Sequence, residues 1–263
     1  MGPWQHLCAA WRRQREARAV ARRPIPDDLW KRTLVRFPFL RRRDAAQATT
    51  LRRLTSLFLD RKEFSSTGGL QLRNDVVVAI AAQACLPVLQ LGLHRYDGFV
   101  GIVVHPGAVL ARRERIDEDG VVHAYDEPLT GEAMEGGPVM LSWDDVRRAG
   151  SSASQGYNVV IHEFAHVLDM ADGVADGVPL LPPGLPRHEW CVLLEREYVA
   201  FAARVDAGED VGLDPYAAES IEEFFAVASE SFFVSPRTLK REHPDLYGVF
   251  QRFYRQDPLQ DTP

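Results

Sequence analysis

Apolar residues recur at helical spacing at Leu51, Leu54, Leu57 and Phe58, which predicts a helix there, and a second, more buried helix through Val76 to Cys85. The nearly apolar run Val76 to Leu93 is interrupted by Gln83, Pro87 and Gln90, so it reads as a buried helix ending near the proline and not as a membrane span. The period then changes. Gly98 to Val104 (GFVGIVV), Ala108 to Leu110, Val121 to Ala124 and Pro138 to Leu141 are short, rich in β-branched residues and punctuated by Pro106-Gly107, Asp119-Gly120 and Gly136-Gly137, which predicts a small sheet. Ser142 followed by Asp145 predicts a capping box opening a short helix. Helical spacing returns over Asn158 to Met170, Glu189 to Ala203 and Ser220 to Phe233. A last stripe is carried by Leu246, Val249, Phe250 and Phe253. The tandem Ala-Asp-Gly-Val over 171–178 reads as a turn-rich loop, since its acids are too far apart for a calcium loop.

Helices around a small mixed sheet make an α+β fold, and 263 residues with 46% hydrophobic content suit one core with an appendage. Three scattered cysteines, Cys8, Cys85 and Cys191, build no disulfide framework, so a reducing, cytoplasmic setting is expected. The net charge of -6 hides an asymmetry: residues 1–62 hold 16 Lys+Arg against 5 Asp+Glu (+11), leaving 15 against 32 (-17) in the remainder. Residues 1–45 are accordingly set apart as a basic leader, and 46–263 as a single domain. An organellar transit peptide and a nucleic-acid arm are less favoured for the leader than a solvated segment, flexible or weakly helical. No apolar region follows the charged start, so neither export nor a membrane is expected.

Residues 158–170 read NVVIHEFAHVLDM, and His162-Glu163-Phe164-Ala165-His166 is an HExxH pattern. Positions i and i+4 project from one helical face, so two imidazoles can converge on one zinc ion while Glu163 reaches a water activated there. Chance predicts roughly 0.02 such matches in a chain of this composition, so accident is a weak competitor. A catalytic zinc site requires a third protein ligand. The metzincin pattern fails, because Asp169 and Asp172 stand where it wants glycine and histidine. A glutamate on a following helix is the thermolysin-like solution, and Glu219, Glu222, Glu223 and Glu230 are all available. Spacing alone does not choose among them, since Ser220 to Glu223 is itself a capping box.

Several blocks in order resemble the Mlc titration factor A family of zinc metallopeptidases: ACLPVLQLGL, YDGFVGIVVHPG, YNVVIHEFAHVLD, DGVP, YAAESIEEFFAVASESFF and VFQRFYRQDPLQ. The resemblance covers most of the chain after about residue 50 and leaves the leader unmatched. It implies His162 and His166 as zinc ligands, Glu163 as catalytic base, Tyr216 in the YAA block as a catalytic tyrosine and Glu223, seven residues later, as third ligand. Ser220-Ile221 departs from the Asn-Pro that a family member can carry at that point. A thermolysin-like (gluzincin) compact core, similar also to the catalytic domain of anthrax lethal factor, is implied. So are one Zn2+ per chain, aminopeptidase-type activity on peptides, and an interaction with Mlc, a transcriptional repressor of glucose uptake.

These roles add up to zinc-assisted amide hydrolysis, with Tyr216 donating to the oxyanion. The strand GFVGIVV or a neighbour is a candidate edge for an extended peptide, with a central position equally open. Asp169 is a candidate second-sphere acceptor for an imidazole, surface capping being the simpler account. His94, His105, His123, His188 and His243 stand singly and are read as surface or structural. The alternative function is a regulatory module that sequesters a repressor while its peptidase activity is weak or latent. Nucleic-acid binding through the leader is the least favoured reading.

Overall fold

The computed structural model describes residues 3–107, 109–116, 122–129, 131–133, 136–149 and 156–260. Among the described residues the helices are α1 (Pro3–Arg22), α2 (Asp27–Arg36), α3 (Ala45–Arg61), α4 (Asn74–Ala84), α5 (Trp143–Arg148), α6 (Val159–Asp169), α7 (Arg187–Asp206), α8 (Ile221–Val234), α9 (Pro236–Glu242) and α10 (Pro244–Tyr254). The strands are β1 (Glu63–Ser66), β2 (Gly101–His105), β3 (Val109–Ile116), β4 (Val122–Leu129), β5 (Gly131–Ala133) and β6 (Val139–Ser142). The Asp119-Gly120 turn expected from the sequence lies outside the described residues.

One four-stranded sheet runs in the order β1-β2-β6-β5, with β1, β2 and β6 parallel and β5 antiparallel to β6. A small sheet is expected from the sequence, but of the four segments read as strands only those giving β2 and β6 lie in it. GFVGIVV supplies β2, which has a neighbour on both sides, so the edges of this sheet are β1 and β5. Ile102 and Val104 of β2 and Val139 and Leu141 of β6 are buried, which accounts for their alternation. Strands β3 and β4 pair separately as an antiparallel ladder from Val109↔Leu129 to Ile116↔Val122.

Helix α1 is longer than a weakly helical leader. It docks on α3 through buried Ala19 and through ion pairs Arg22 to Asp60 (2.7 Å) and Arg53 to Glu16 (2.5 Å). Ile25, Leu29 and Trp30, just beyond it, are buried too. Apolar anchoring therefore fixes the segment, since exposed pairs of this kind contribute little.

The core has two aromatic centres. Phe164 of α6 packs against Phe58 (5.7 Å between centroids), Tyr96 (5.0 Å) and Phe99 (5.8 Å). Trp190 of α7 packs with Phe225, Phe250 and Phe253 of α8 and α10. Buried Lys62 clamps the turn carrying Phe99: its ammonium donates to the Tyr96 and Phe99 carbonyls and lies 3.7 Å from the centre of the Phe99 ring. Burial pushes the Lys62 amine down to about 8.

Candidate metal centre

Helix α6 begins where Asn158 leaves the helical conformation, its side-chain oxygen accepting the Ile161 amide at 2.9 Å. Its Nδ2 donates to Gln83 Oε1 of α4 at 2.8 Å, and its backbone N–H donates to the Glu230 carboxylate of α8. The start of α6 is thus tied to two other helices. With Phe164 pinned in the aromatic cluster on one side, the roll of the helix turns His162 and His166 towards a cleft on the other.

Helix α8 is capped by Ser220, whose hydroxyl accepts the Glu223 amide at 3.3 Å. The Glu223 carboxylate, however, points at the histidines. Its Oε2 lies 3.0 Å from His162 Nε2 and 3.5 Å from His166 Nε2, and the two Nε2 atoms are 3.2 Å apart. Only one proton fits between two imidazole nitrogens at that distance, and the buried Glu223 Oε2 has no partner in hydrogen-bonding geometry. A tetrahedral zinc with N/O ligands at about 2.0–2.1 Å separates its ligand atoms by roughly 3.3 Å, so this triangle fits such a cation. Among the described residues these three form the cluster able to hold a metal ion. Of the other glutamates open on spacing, Glu222 lines the cleft without joining the triangle, and Glu219 ends the turn before α8.

Glu230 takes a different place. Its Oε1 lies 2.8 Å from His162 Nδ1, on the far side of that ring from Glu223. Burial works to lower the His162 pKa, but the Glu223 and Glu230 carboxylates at its two ring nitrogens raise it well above the usual value. Burial likewise opposes ionisation of Glu223, yet the two histidines hold it well below the ordinary carboxylate range.

Glu163 is buried, with Oε2 lacking a partner. Burial raises its pKa to about 7, with the two histidines pulling it down and Glu223 and Glu230 pushing it up. Strand β5 runs directly past it: a Cβ on Gly131 would sit 2.3 Å from Glu163 Oε1. A glycine is what allows backbone and carboxylate to approach so closely. Tyr216 lies on a 3₁₀ turn, Pro215–Ala218, capped by Asp214, whose carboxylate accepts the Tyr216 amide at 3.0 Å. Its ring is 6.2 Å from that of His162, and it is 47% exposed, at the cleft.

The cleft encloses about 580 Å³ and is lined by Glu132, Glu163, Asp214, Glu222, Glu223 and Glu230, with no Lys or Arg among the described residues. Asp169 is fully buried and accepts the Gly177 amide at 2.9 Å, so it fastens the following loop rather than capping a surface helix end. His243 is structural, its Nδ1 2.8 Å from Glu197. Spacing missed the role of Glu230, although a signal existed: Glu223 and Glu230 are seven residues apart and so share a helix face.

By class this is an α+β protein in which an HExxH helix and a glutamate from a later helix form a cluster able to hold a metal ion. Residues 9–255 match the family described as glucose-regulated metallo-peptidase M90, and the chain belongs to that family. It is 39% identical to Mlc titration factor A of Pectobacterium atrosepticum, over 78% of each chain. It is 35% identical to Mlc titration factor A of Salmonella arizonae, over 89% of this chain and 93% of that one. An uncharacterised protein of a Synechocystis species is 34% identical over 90% of this chain and 86% of its own. Among the described residues no helix is long and apolar enough to cross a membrane.

Proposed function

We propose that this chain is a zinc-dependent peptidase of aminopeptidase type, with residues 46–263 as its catalytic domain. The observation that carries the reading is the convergence of His162, His166 and Glu223 beside the buried carboxyl group of Glu163. A zinc ion held there would supply a Lewis acid that lowers the pKa of a water towards about 7. Glu163 accepts the proton of the attacking water and carries it to the leaving amine, a task suited to a carboxyl group held near neutrality. The Tyr216 hydroxyl donates a hydrogen bond to the carbonyl oxygen as charge develops on it. Strand β5, paired with β6 on one side, aligns the substrate backbone along its other edge. The cluster of carboxylates lining the cleft, without a fixed cation, supports a free amino terminus as the group recognised.

Zinc per chain, measured for the parent, Glu223→Ala, Glu222→Ala and Glu163→Gln proteins, tests the reading together with hydrolysis of short peptides. The expected result is about one zinc in all but Glu223→Ala, and cleavage of free but not N-acetylated peptides by the parent and Glu222→Ala. A folded parent that binds no added zinc would overturn it.

A second reading rests on the relatives' name, Mlc titration factor A: the chain sequesters a transcriptional repressor of the Mlc kind in the cytoplasm. A purely structural metal would need neither Glu163 nor Tyr216 at the cleft, which favours hydrolysis as the primary activity. Repressor capture by the Glu163→Gln protein would separate the two functions.

A further inference from the structure

A second cavity adjoins the metal cleft. It measures about 610 Å³ and has one lining residue, Met170, in common with the cleft. Met170 follows His166 by one helical turn, and Val167, next to His166 in sequence, opens into this second space. Its other apolar walls are Phe99, held by the Lys62 clamp, and Leu180, whose carbonyl accepts from Arg95 Nη1 at 2.7 Å. Phe99 is thereby held in place, and the backbone at Leu180 is tied to Arg95.

The chemistry changes sharply across Met170. Six carboxylates line the cleft, whereas no carboxylate lines the adjoining cavity among the described residues, and the charged side chain there is Arg95. A lysine or arginine side chain entering it would meet a guanidinium and, among the described residues, no anion. An aliphatic or aromatic side chain would find Phe99, Val167, Met170 and Leu180, in a volume within the usual range for small-ligand sites, about 300–1,000 Å³.

The geometry points to this cavity as the specificity pocket of the enzyme, taking a large apolar side chain from the substrate residue that presents its carbonyl to the metal. This rests on the metallopeptidase reading above. Gly98 sits at the pocket with no heavy atom within 4 Å of where its Cβ would lie, and its backbone is outside the left-handed region, so a bulky side chain can be built there to fill the space. Leu180 is 44% exposed and tolerates a polar replacement.

The test uses the zinc-loaded full-length protein and the hydroxamates of glycine, leucine, phenylalanine and lysine, whose common head group binds a metal and whose side chains differ. Affinities are read by calorimetry, so the result does not depend on turnover. Leucine and phenylalanine hydroxamates are expected to bind at least about tenfold more tightly than glycine hydroxamate, as burying such a side chain predicts, and lysine hydroxamate not to share the gain. In Gly98→Phe the ratio of leucine to glycine affinity should fall to near one. In Leu180→Glu lysine should overtake leucine. These two variants move selectivity in different directions, so misfolding of one cannot imitate the pattern. Equal affinity of all four hydroxamates, or an unchanged ratio in Gly98→Phe, overturns the pocket while leaving the metal centre standing. Failure of even glycine hydroxamate to bind overturns the metal centre and the pocket with it.

Discussion

Glu230 and His162 form a pair in which one carboxylate oxygen lies 2.8 Å from His162 Nδ1, while the other accepts the amide of Asn158 at the start of the same helix. In the neutral imidazole, the form that ligates a cation, this carboxylate holds the proton on Nδ1 and leaves the Nε2 lone pair facing His166 and Glu223. Ring orientation and helix placement are fixed by a single buried side chain.

Replacing that side chain should therefore weaken metal binding without removing a ligand. Glu230→Gln sets an amide N–H against the Asn158 N–H or turns it towards the His162 ring, so one of the two contacts fails. Metal affinity should fall by about 10- to 100-fold, read by competition with a chelator of known strength. Glu223→Ala should do more, since it removes a corner of the triangle. Parental affinity in a folded Glu230→Gln protein would deny Glu230 its positioning role.

The approach of β5 to Glu163 gives a second expectation. A methyl group at Gly131 would lie 2.3 Å from Glu163 Oε1, well inside contact distance, so either the carboxylate or the strand must move. Gly131→Ala should retain zinc and lose turnover by about tenfold or more, because displacement of a reacting group by about 1 Å costs on the order of 10²-fold. Steady-state kinetics beside a zinc assay checks this, and equal activity would mean that the strand yields freely.

Tyr216→Phe keeps the ring at the cleft and removes the hydroxyl. If that hydroxyl stabilises the developing oxyanion, kcat should drop by roughly 10²- to 10³-fold while zinc content is unchanged. Removing Asp214, whose carboxylate caps the turn carrying Tyr216, should reproduce part of that loss. Parallel loss of zinc and turnover in Tyr216→Phe would argue for a structural tyrosine instead.

What could be read in the sequence was what depends on near neighbours. The HExxH helix carries its cap, its apolar face and its two histidines within Asn158 to Asp169, so its chemistry is legible without a fold. The helices over Leu51–Phe58, Val76–Cys85, Asn158–Met170, Glu189–Ala203 and Ser220–Phe233 were equally plain, whereas α1 and α2 fall in the segment read as a solvated leader. Strand β5 was not, because Gly131-Glu132-Ala133 has no alternation or β-branched residue and becomes a strand only by pairing with β6. Strand β1, Glu-Phe-Ser-Ser, owes its existence to β2 in the same way. Helices α2 and α9 each start beside a proline that reads as punctuation. The choice between Glu222 and Glu223 could not be settled by spacing, because it depends on how α8 rolls against α6, and that is decided by aromatic packing spread over the rest of the chain.

Asp169 yields a prediction about stability and pH. The residue is fully buried, one carboxylate oxygen accepts the Gly177 amide, and the other has no partner. Burial raises its pKa to about 6 from an unfolded value near 3.8, the Gly177 hydrogen bond opposing the rise. An acid that is weaker in the folded state binds its proton more tightly there. Its favourable contribution is therefore complete below pH 3.8 and is lost as pH rises through about 6. Asp169→Asn keeps an oxygen for Gly177 and has no charge to bury, so it lacks this dependence. The stability of the parent relative to Asp169→Asn should accordingly fall between pH 4 and pH 7 by up to about 3 kcal/mol, measured by urea unfolding of both proteins across that range. A difference that grows in the parent's favour as pH rises would show that the buried carboxylate is stabilised as an anion, by partners stronger than the Gly177 amide alone.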